Sequence, residues 1–146
     1  GDAEPTVVVS SIKAADQLAP ICANHNATLF TLGEHSDGTL MDAARAAATD
    51  CPVAERGPED LAVILYTSGT TGRSKGAMLS HKNLLSNAQS LSEAWRFTSE
   101  DRLLHALPIF HAHGVFVAVN VSVNVGASMI FLPTLDIEVV KDTIGS

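Results

Sequence analysis

The stretch from Tyr66 to Gly76, with the sequence YTSGTTGRSKG, concentrates groups that could bind phosphate. Its glycines allow the backbone to turn so that several N–H groups converge on one point, where they could bind an anion. Its hydroxyl groups add hydrogen-bond donors, and its cationic side chains add positive charge. The residues that we expect to bind phosphate are Thr67, Ser68, Gly69, Thr70, Thr71, Gly72 and Lys75.

This stretch differs from a Walker A loop. The Walker A pattern places a glycine directly before its lysine, whereas Ser74 precedes Lys75 here and Gly76 follows it. A flexible surface turn between two strands is the alternative without a binding function. The particular order TSGTTG, followed after two residues by Lys-Gly, favours a phosphate loop over such a turn.

The second group of residues that could do chemistry is Leu107 to Gly114, with the sequence LPIFHAHG. Two histidines separated by one residue, His111 and His113, could indicate a metal site. No carboxylate or cysteine ligand lies near them in the sequence, so we predict no metal site. A polar turn that follows a strand is the other alternative to a substrate-binding role.

The two motifs, in this order, resemble the adenylate-forming superfamily of acyl-CoA synthetases, peptide-synthetase adenylation domains and beetle luciferases. The resemblance covers Asp60 to Pro133, and Asp2 to Val9 also looks like a segment of the family. It implies that the first motif binds the phosphates of ATP and that Lys75 and His111 are catalytic. It also implies an acyl-substrate pocket formed by His111, His113 and Gly114, and a reaction that requires Mg²⁺ and coenzyme A.

One departure from the family pattern narrows the resemblance. Most members have proline at the position of Ser74. The segments RSKGAMLSH, WRFT and ALPIFHAHG most resemble the bacterial malonyl-CoA synthetases, which implies malonate as the acid. A fatty- or aryl-acid ligase, an amino-acid-adenylating domain and a non-catalytic phosphate-binding module are the alternatives that stay open.

Composition argues against several classes of partner. The 146 residues carry a net charge of −7, which is unfavourable for binding nucleic acid or an anionic membrane. No apolar run reaches the length of a membrane span. Cys22 and Cys51 match no metal or redox spacing, so we expect reduced thiols in a cytoplasmic protein, with Cys22 in the core.

Strand and helix patterns alternate along most of the chain, which predicts an α/β fold with a layered, mostly parallel sheet. Ser11 is expected to cap the first helix, and Thr39 with Asp42 is expected to form a capping box at the second. Strands are predicted at 6–10, 27–32, 61–66, 77–79, 103–107 and 128–132, and helices at 11–24, 39–48, 81–95 and 136–144.

The segment from Val115 to Val125 allows two interpretations. Valine occupies every odd position, and this alternation of β-branched residues favours a strand. The family resemblance implies a helix instead. We predict the helix, because packing often overrides intrinsic propensity.

We interpret residues 1–146 as part of the N-terminal domain of a longer enzyme of this family. Within them, 1–58 form a βαβα lead-in, 59–80 the strand, phosphate loop and return strand, and 81–146 the helix and the start of the acyl-pocket subdomain. By the resemblance, the ligands of adenine, ribose and Mg²⁺ lie elsewhere. We therefore expect the 146 residues alone to be inactive and, with open sheet edges, to self-associate.

Overall fold

The computed structural model describes residues 3–67 and 74–144. The chain divides into two compact units, Gly1–Glu55 and Arg56–Ser146. Each unit combines strands with helices, which confirms the α/β prediction. Within the described residues, no helix combines the length and apolar character that crossing a bilayer requires.

The first unit is built around two parallel strands. Strand β1 (Val7–Ser11) pairs with β2 (Thr28–Leu32), with Val7 opposite Thr28. A 3₁₀ turn (Ile12–Ala14) and helix α1 (Ala15–Asn24) connect the two strands, and helix α2 (Thr39–Ala46) follows β2. Cys22 on α1 is buried, which confirms its predicted place in the core.

Both capping predictions in this unit are wrong. Ser11 ends β1 and makes no capping hydrogen bond with its side chain, because the 3₁₀ turn separates it from α1. Thr39 is the first residue of α2, and its hydroxyl oxygen accepts a hydrogen bond from the Thr31 N–H at 2.9 Å. Gly38 occupies the N-cap position with a φ of 102°, a conformation that glycine adopts without strain.

The second unit begins with a hairpin and continues with a parallel strand pair. Strands β3 (Leu61–Thr67) and β4 (Lys75–Ser80) are antiparallel, and helix α3 (His81–Trp95) follows β4 directly. Strands β5 (Arg102–His105) and β6 (Ser128–Phe131) are parallel. A π-helix (His113–Val119) that continues into α4 (Asn120–Val125) connects them, and α5 (Ile137–Ile144) follows β6.

The helix predicted over the alternating valines is confirmed. The buried residues of this segment are Gly114, Ala118, Val121 and Ser122, which recur at helical spacing. Val123, by contrast, is 74% exposed. The packed face therefore includes the small residues between the valines, so the alternation of valines does not mark a sheet face.

Strand β5 ends earlier than predicted. The strand expected over 103–107 ends at His105, whose carbonyl accepts a hydrogen bond from the Leu132 N–H at 2.9 Å. Leu107 is 53% exposed and precedes Pro108, which has no N–H to donate to a ladder. The chain therefore leaves the sheet before Leu107 and enters the turn that leads to the π-helix.

Candidate active site

The β3–β4 hairpin holds the two ends of the predicted phosphate loop. Thr67 is the last residue of β3 and lies directly opposite Lys75, the first residue of β4. Residues that face each other in an antiparallel pair have neighbouring side chains on the same face of the sheet. The hairpin therefore places the side chains of Thr67 and Lys75, which carry a hydroxyl and an ammonium group, next to each other on one face of the strand pair. The other predicted phosphate ligands, Ser68, Gly69, Thr70, Thr71 and Gly72, lie outside the described residues.

The glycine after Lys75 has a packing role in this hairpin. Gly76 lies opposite Tyr66, and a Cβ atom on Gly76 would come 2.7 Å from Cγ2 of Ile64 and 3.2 Å from Cε1 of Tyr66. Any larger residue would push these side chains aside. Gly76 thus allows the side chains of Tyr66 and Ile64 to pack over its backbone, beside the pair formed by Thr67 and Lys75.

A tight turn forms the second motif. The His111 N–H donates to the Pro108 carbonyl at 3.3 Å, and the Val115 N–H donates to the His111 carbonyl at 3.1 Å. Gly114 is buried against the backbone of Ile109, whose Cα would lie 2.6 Å from a Cβ on residue 114. The sequence therefore needs glycine at 114 so that the start of the π-helix can close onto the turn.

A cavity of about 440 Å³ lies between the hairpin, α3 and the start of the π-helix. Its lining is mainly apolar, with three polar side chains, Asn83, Asn87 and His113. None of the described residues that line it is charged. The described residues that line it are Leu65, Leu79, Asn83, Leu84, Asn87, Ala112, His113, Phe116 and Val117.

The structure separates the two predicted histidines of the acyl pocket. His113 lines this cavity, whereas His111 and Gly114 do not. His111 is exposed, and its ring lies 4.6 Å from the ring of Phe110. The hairpin that holds the ends of the predicted phosphate loop also forms part of the cavity wall, through Leu65 of β3 and Leu79 of β4. An apolar cavity with a few polar groups that converge on it is the usual form of a small-molecule site.

Side-chain hydrogen bonds hold helix α3 near both of its ends. At its N-terminus, the Asn83 N–H donates to the Ser80 hydroxyl at 3.3 Å, and the Ser80 N–H donates to Oδ1 of Asn83 at 2.9 Å, which forms a capping box. Further along, the Ser92 hydroxyl donates to the Ala88 carbonyl, and Nδ2 of Asn124 on α4 donates to Ser92 Oγ at 3.2 Å. These bonds orient the helix that carries Asn83 and Asn87.

Sequence reasoning missed His105. This residue ends β5, is only 4% exposed, and its ring stacks at 19° against that of His113, with the ring centroids 6.3 Å apart. The signal that could have revealed it is a titratable residue within the apolar run Leu103–Leu107. Such runs favour apolar residues, so a histidine inside one is unusual.

The described residues contain no group of three or more His, Cys, Asp or Glu side chains that could hold a metal ion. Among these residues there is therefore no preformed cluster of metal ligands. What the arrangement can provide is a cation and a hydroxyl at the ends of the predicted phosphate loop, and a mainly apolar cavity with two amides and an imidazole beside the same hairpin.

Comparison with known proteins shows what the chain is similar to. The mitochondrial malonate–CoA ligase of Mus musculus is 35% identical over 133 residues, which cover 90% of this chain and 22% of that protein. ATP-bound MatB from Rhodopseudomonas palustris is 53% identical with a TM-score of 0.91, over 99% of this chain and 29% of that one. The N-terminal domain of FACL13 from Mycobacterium tuberculosis, in an inhibitor-bound structure, is 33% identical with a TM-score of 0.78, over 98% and 36%.

This chain thus spans less than a third of the length of the malonate–CoA ligase and of MatB. The sequence profile of the AMP-binding enzymes matches residues 1–145, nearly the whole of it. The resemblance drawn from the two motifs is therefore confirmed, and the chain belongs to the AMP-binding enzyme family.

Proposed function

We propose that the protein is an ATP-dependent acid–CoA ligase that activates malonate. The observation that carries the proposal is the 53% identity to ATP-bound MatB over 99% of the chain, with a TM-score of 0.91. Malonate as the acid is supported by the 35% identity to the malonate–CoA ligase of Mus musculus. The hairpin that pairs Thr67 with Lys75 fits the ATP-binding half of this reaction.

The proposed reaction has two steps. A carboxylate oxygen of malonate attacks the α-phosphorus of ATP, and the bond to the bridging oxygen breaks, so that pyrophosphate leaves and malonyl-adenylate forms. The thiol of coenzyme A then attacks the acyl carbon, loses its proton and displaces AMP. Such transfers depend mainly on positioning and on stabilising developing charge.

Lys75 and Thr67 act on the first step. In this proposal, the Lys75 ammonium and the Thr67 hydroxyl bind the β- and γ-phosphates, together with Ser68, Gly69, Thr70, Thr71 and Gly72. Negative charge develops on this group as pyrophosphate leaves, and a charge-assisted hydrogen bond stabilises it more than a neutral one does. Lys75 is exposed, and its pair with Thr67 is the one next to the loop, where a phosphate can reach it.

The histidines act on the acid. We assign His111, exposed at the turn, to the reacting carboxylate, and His113 to the wall of the 440 Å³ cavity that takes the rest of the acid. A second carboxylate favours an arginine partner, which can bind it through two parallel hydrogen bonds. No described arginine lines the cavity, so this partner comes from elsewhere in the protein.

Mg²⁺ and coenzyme A complete the proposed reactants, and the cytoplasm is the proposed location. When bound with ATP, Mg²⁺ neutralises charge on the phosphates.

A ligase for a longer, apolar acid is the second candidate. Among the described residues that line the cavity, only three are polar, which suits a hydrocarbon chain. The long-chain-fatty-acid–CoA ligase of Bacillus subtilis is 40% identical over 80 residues, which cover 53% of this chain and 14% of that protein. This similarity is confined to about half of the chain, so malonate is favoured.

Product analysis tests the proposal. The protein expressed from its intact gene would be incubated with ATP, Mg²⁺, coenzyme A and either malonate or a fatty acid. The products would then be separated and identified by mass spectrometry. We expect malonyl-CoA, with one AMP formed for each thioester. Formation of ADP instead of AMP, or thioesters of fatty acids only, would contradict it.

A further inference from the structure

Asn87 lies in the interior of helix α3, where asparagine does not favour the helix itself. The helix runs from His81 to Trp95, so Asn87 is too far from either end to cap it. In a helix interior, asparagine is less favourable than alanine or leucine, because its side chain can bond to nearby backbone in other conformations. Helix formation alone therefore gives no reason for asparagine at this position.

The side-chain amide of Asn87 is free to bind a ligand. Asn87 is exposed, and its amide makes no hydrogen bond to any residue that the structure describes. Asn83 lies one helical turn earlier on the same face, but its Oδ1 accepts hydrogen bonds from the Ser80 N–H and the Ser80 hydroxyl at 2.9 and 3.1 Å. The N-terminal cap thus accounts for Asn83, whereas no contact within the described fold accounts for Asn87.

Asn87 is part of the wall of the 440 Å³ cavity. The other polar residues among its described lining are Asn83 and His113, and the remaining six are apolar. In a mainly apolar wall, the few polar groups determine the orientation and the selection of a bound molecule. The free amide of Asn87 is therefore placed where it can discriminate between ligands.

The amide of asparagine matches a carboxylate better than a hydrocarbon group. It carries two N–H donors, and a hydrogen bond from such a donor to a charged oxygen is stronger than one to a neutral acceptor. A hydrocarbon group in the same place would displace water from the amide without replacing its hydrogen bonds. A site built in this way rejects the analogue that lacks the polar group.

We propose that Asn87 is a specificity-determining residue for the acid: its side-chain amide donates a hydrogen bond to the carboxylate of malonate that does not react. This inference rests on the proposed function, in which the cavity takes the acid. The arginine expected from elsewhere in the protein can bind the same carboxylate, because its two oxygens offer about four lone-pair sites. The matching apolar acid is isovalerate, in which an isopropyl group replaces this carboxylate.

The test measures kcat and KM in the protein expressed from its intact gene. Isovalerate is measured as a substrate or, where turnover is too slow, as a competitive inhibitor. In Asn87→Leu, whose side chain has a similar branched shape, we expect KM for malonate to rise about tenfold, with KM for ATP and the affinity for isovalerate not weakened, because only binding of the polar acid is lost. An unchanged KM for malonate in folded Asn87→Leu would overturn the proposal.

Gln89→Leu is the matched control. Gln89 is an exposed amide on the same helix and is not among the described residues that line the cavity. The same leucine introduced there should leave the values for both acids unchanged. An equal rise in KM for malonate in Gln89→Leu and Asn87→Leu would overturn the proposal, because the effect would then come from the helix and not from the cavity wall.

Asn87→Asp tests the sign of the interaction with nearly the same side-chain shape. It replaces the N–H donors with a negative charge, which repels a second carboxylate. We expect KM for malonate to rise more than in Asn87→Leu, and added salt to reduce the difference between the two variants. Wild-type affinity for malonate in Asn87→Asp would overturn the proposal, and this variant decides the question if Asn87→Leu does not fold.

Failure of the proposed function gives a different result. If the wild-type protein activates another polar acid in place of malonate, the proposed function fails while Asn87 stays testable. Asn87→Leu and Gln89→Leu are then measured with that acid and its apolar analogue. Lower selectivity in Asn87→Leu alone supports the role of Asn87, and equal selectivity in both variants overturns it. Activation of apolar acids alone would overturn both proposals.

Discussion

At the scale of single residues, Lys75 is the side chain on which the proposed adenylation depends most. We expect Lys75→Ala to lower ATP–pyrophosphate exchange about tenfold or more, because the leaving phosphates lose a charge-assisted bond. Lys82→Ala is the control, since Lys82 forms an exposed ion pair with Glu59 at 3.0 Å, and such pairs contribute little. Equal exchange rates in Lys75→Ala and wild type would contradict this role.

His111 should matter for activity and not for folding. Its side chain is exposed, so His111→Ala removes little packing and should leave the thermal midpoint nearly unchanged. Exchange per folded molecule should fall, because an imidazole near the acid carboxylate is lost. A large drop in thermal stability with unaltered exchange would instead assign His111 a structural role.

The site could be predicted from the sequence only where residue types imply chemistry. Thr67 and Lys75 were predicted to bind phosphate because hydroxyls, glycines and a cation occur together, and the structure pairs these two residues across the hairpin. Their role in binding stays a prediction. His105 was missed because it lies in an apolar run, and only its burial and its contact with His113 mark it. The sequence does not encode such contacts locally.

At the scale of the elements, the turn before the π-helix depends on Gly114. We expect Gly114→Ala to destabilise the protein by about 1–3 kcal/mol, because an added methyl group would overlap the Ile109 backbone. Thermal or denaturant unfolding measures this. Gly57→Ala is the control, since a Cβ there meets only Asp60 atoms at 3.9 Å; similar losses in both variants would contradict the packing argument.

The capping box of α3 provides a second test of an element. Ser80→Ala removes the hydroxyl that accepts the Asn83 N–H, and we expect a loss of about 1 kcal/mol, as is typical for an N-cap serine. Ser90→Ala, on the exposed face of the same helix, should be nearly neutral. If the two substitutions gave the same unfolding midpoint, the cap would not stabilise this helix.

Local signals predicted some elements and failed for others. Helix α3 was predicted at 81–95 and observed at His81–Trp95, because apolar residues at helical spacing are a strong signal. Ser11 and Thr39 have good capping side chains, yet the 3₁₀ turn and Gly38 determine those helix starts. Capping depends on the exact point where the chain turns, which composition alone does not specify.

At the scale of the whole molecule, alternating strands and helices gave the α/β class correctly, and two of the three described strand pairs are parallel. The pairing partners and the cavity between the hairpin, α3 and the π-helix could not be predicted, because they result from contacts between distant segments. The proposed subdivision at 58 and 80 stays a prediction beside the observed units, which divide after Glu55.

Malonate-dependent ATP–pyrophosphate exchange in the protein expressed from its intact gene tests the central claim most directly. Exchange reports formation of the acyl-adenylate alone, before coenzyme A takes part. The account predicts rapid exchange with malonate and Mg²⁺, and at most slow exchange with hexanoate, which lacks the second carboxylate. Exchange with hexanoate equal to that with malonate, or no exchange with malonate at all, would contradict it.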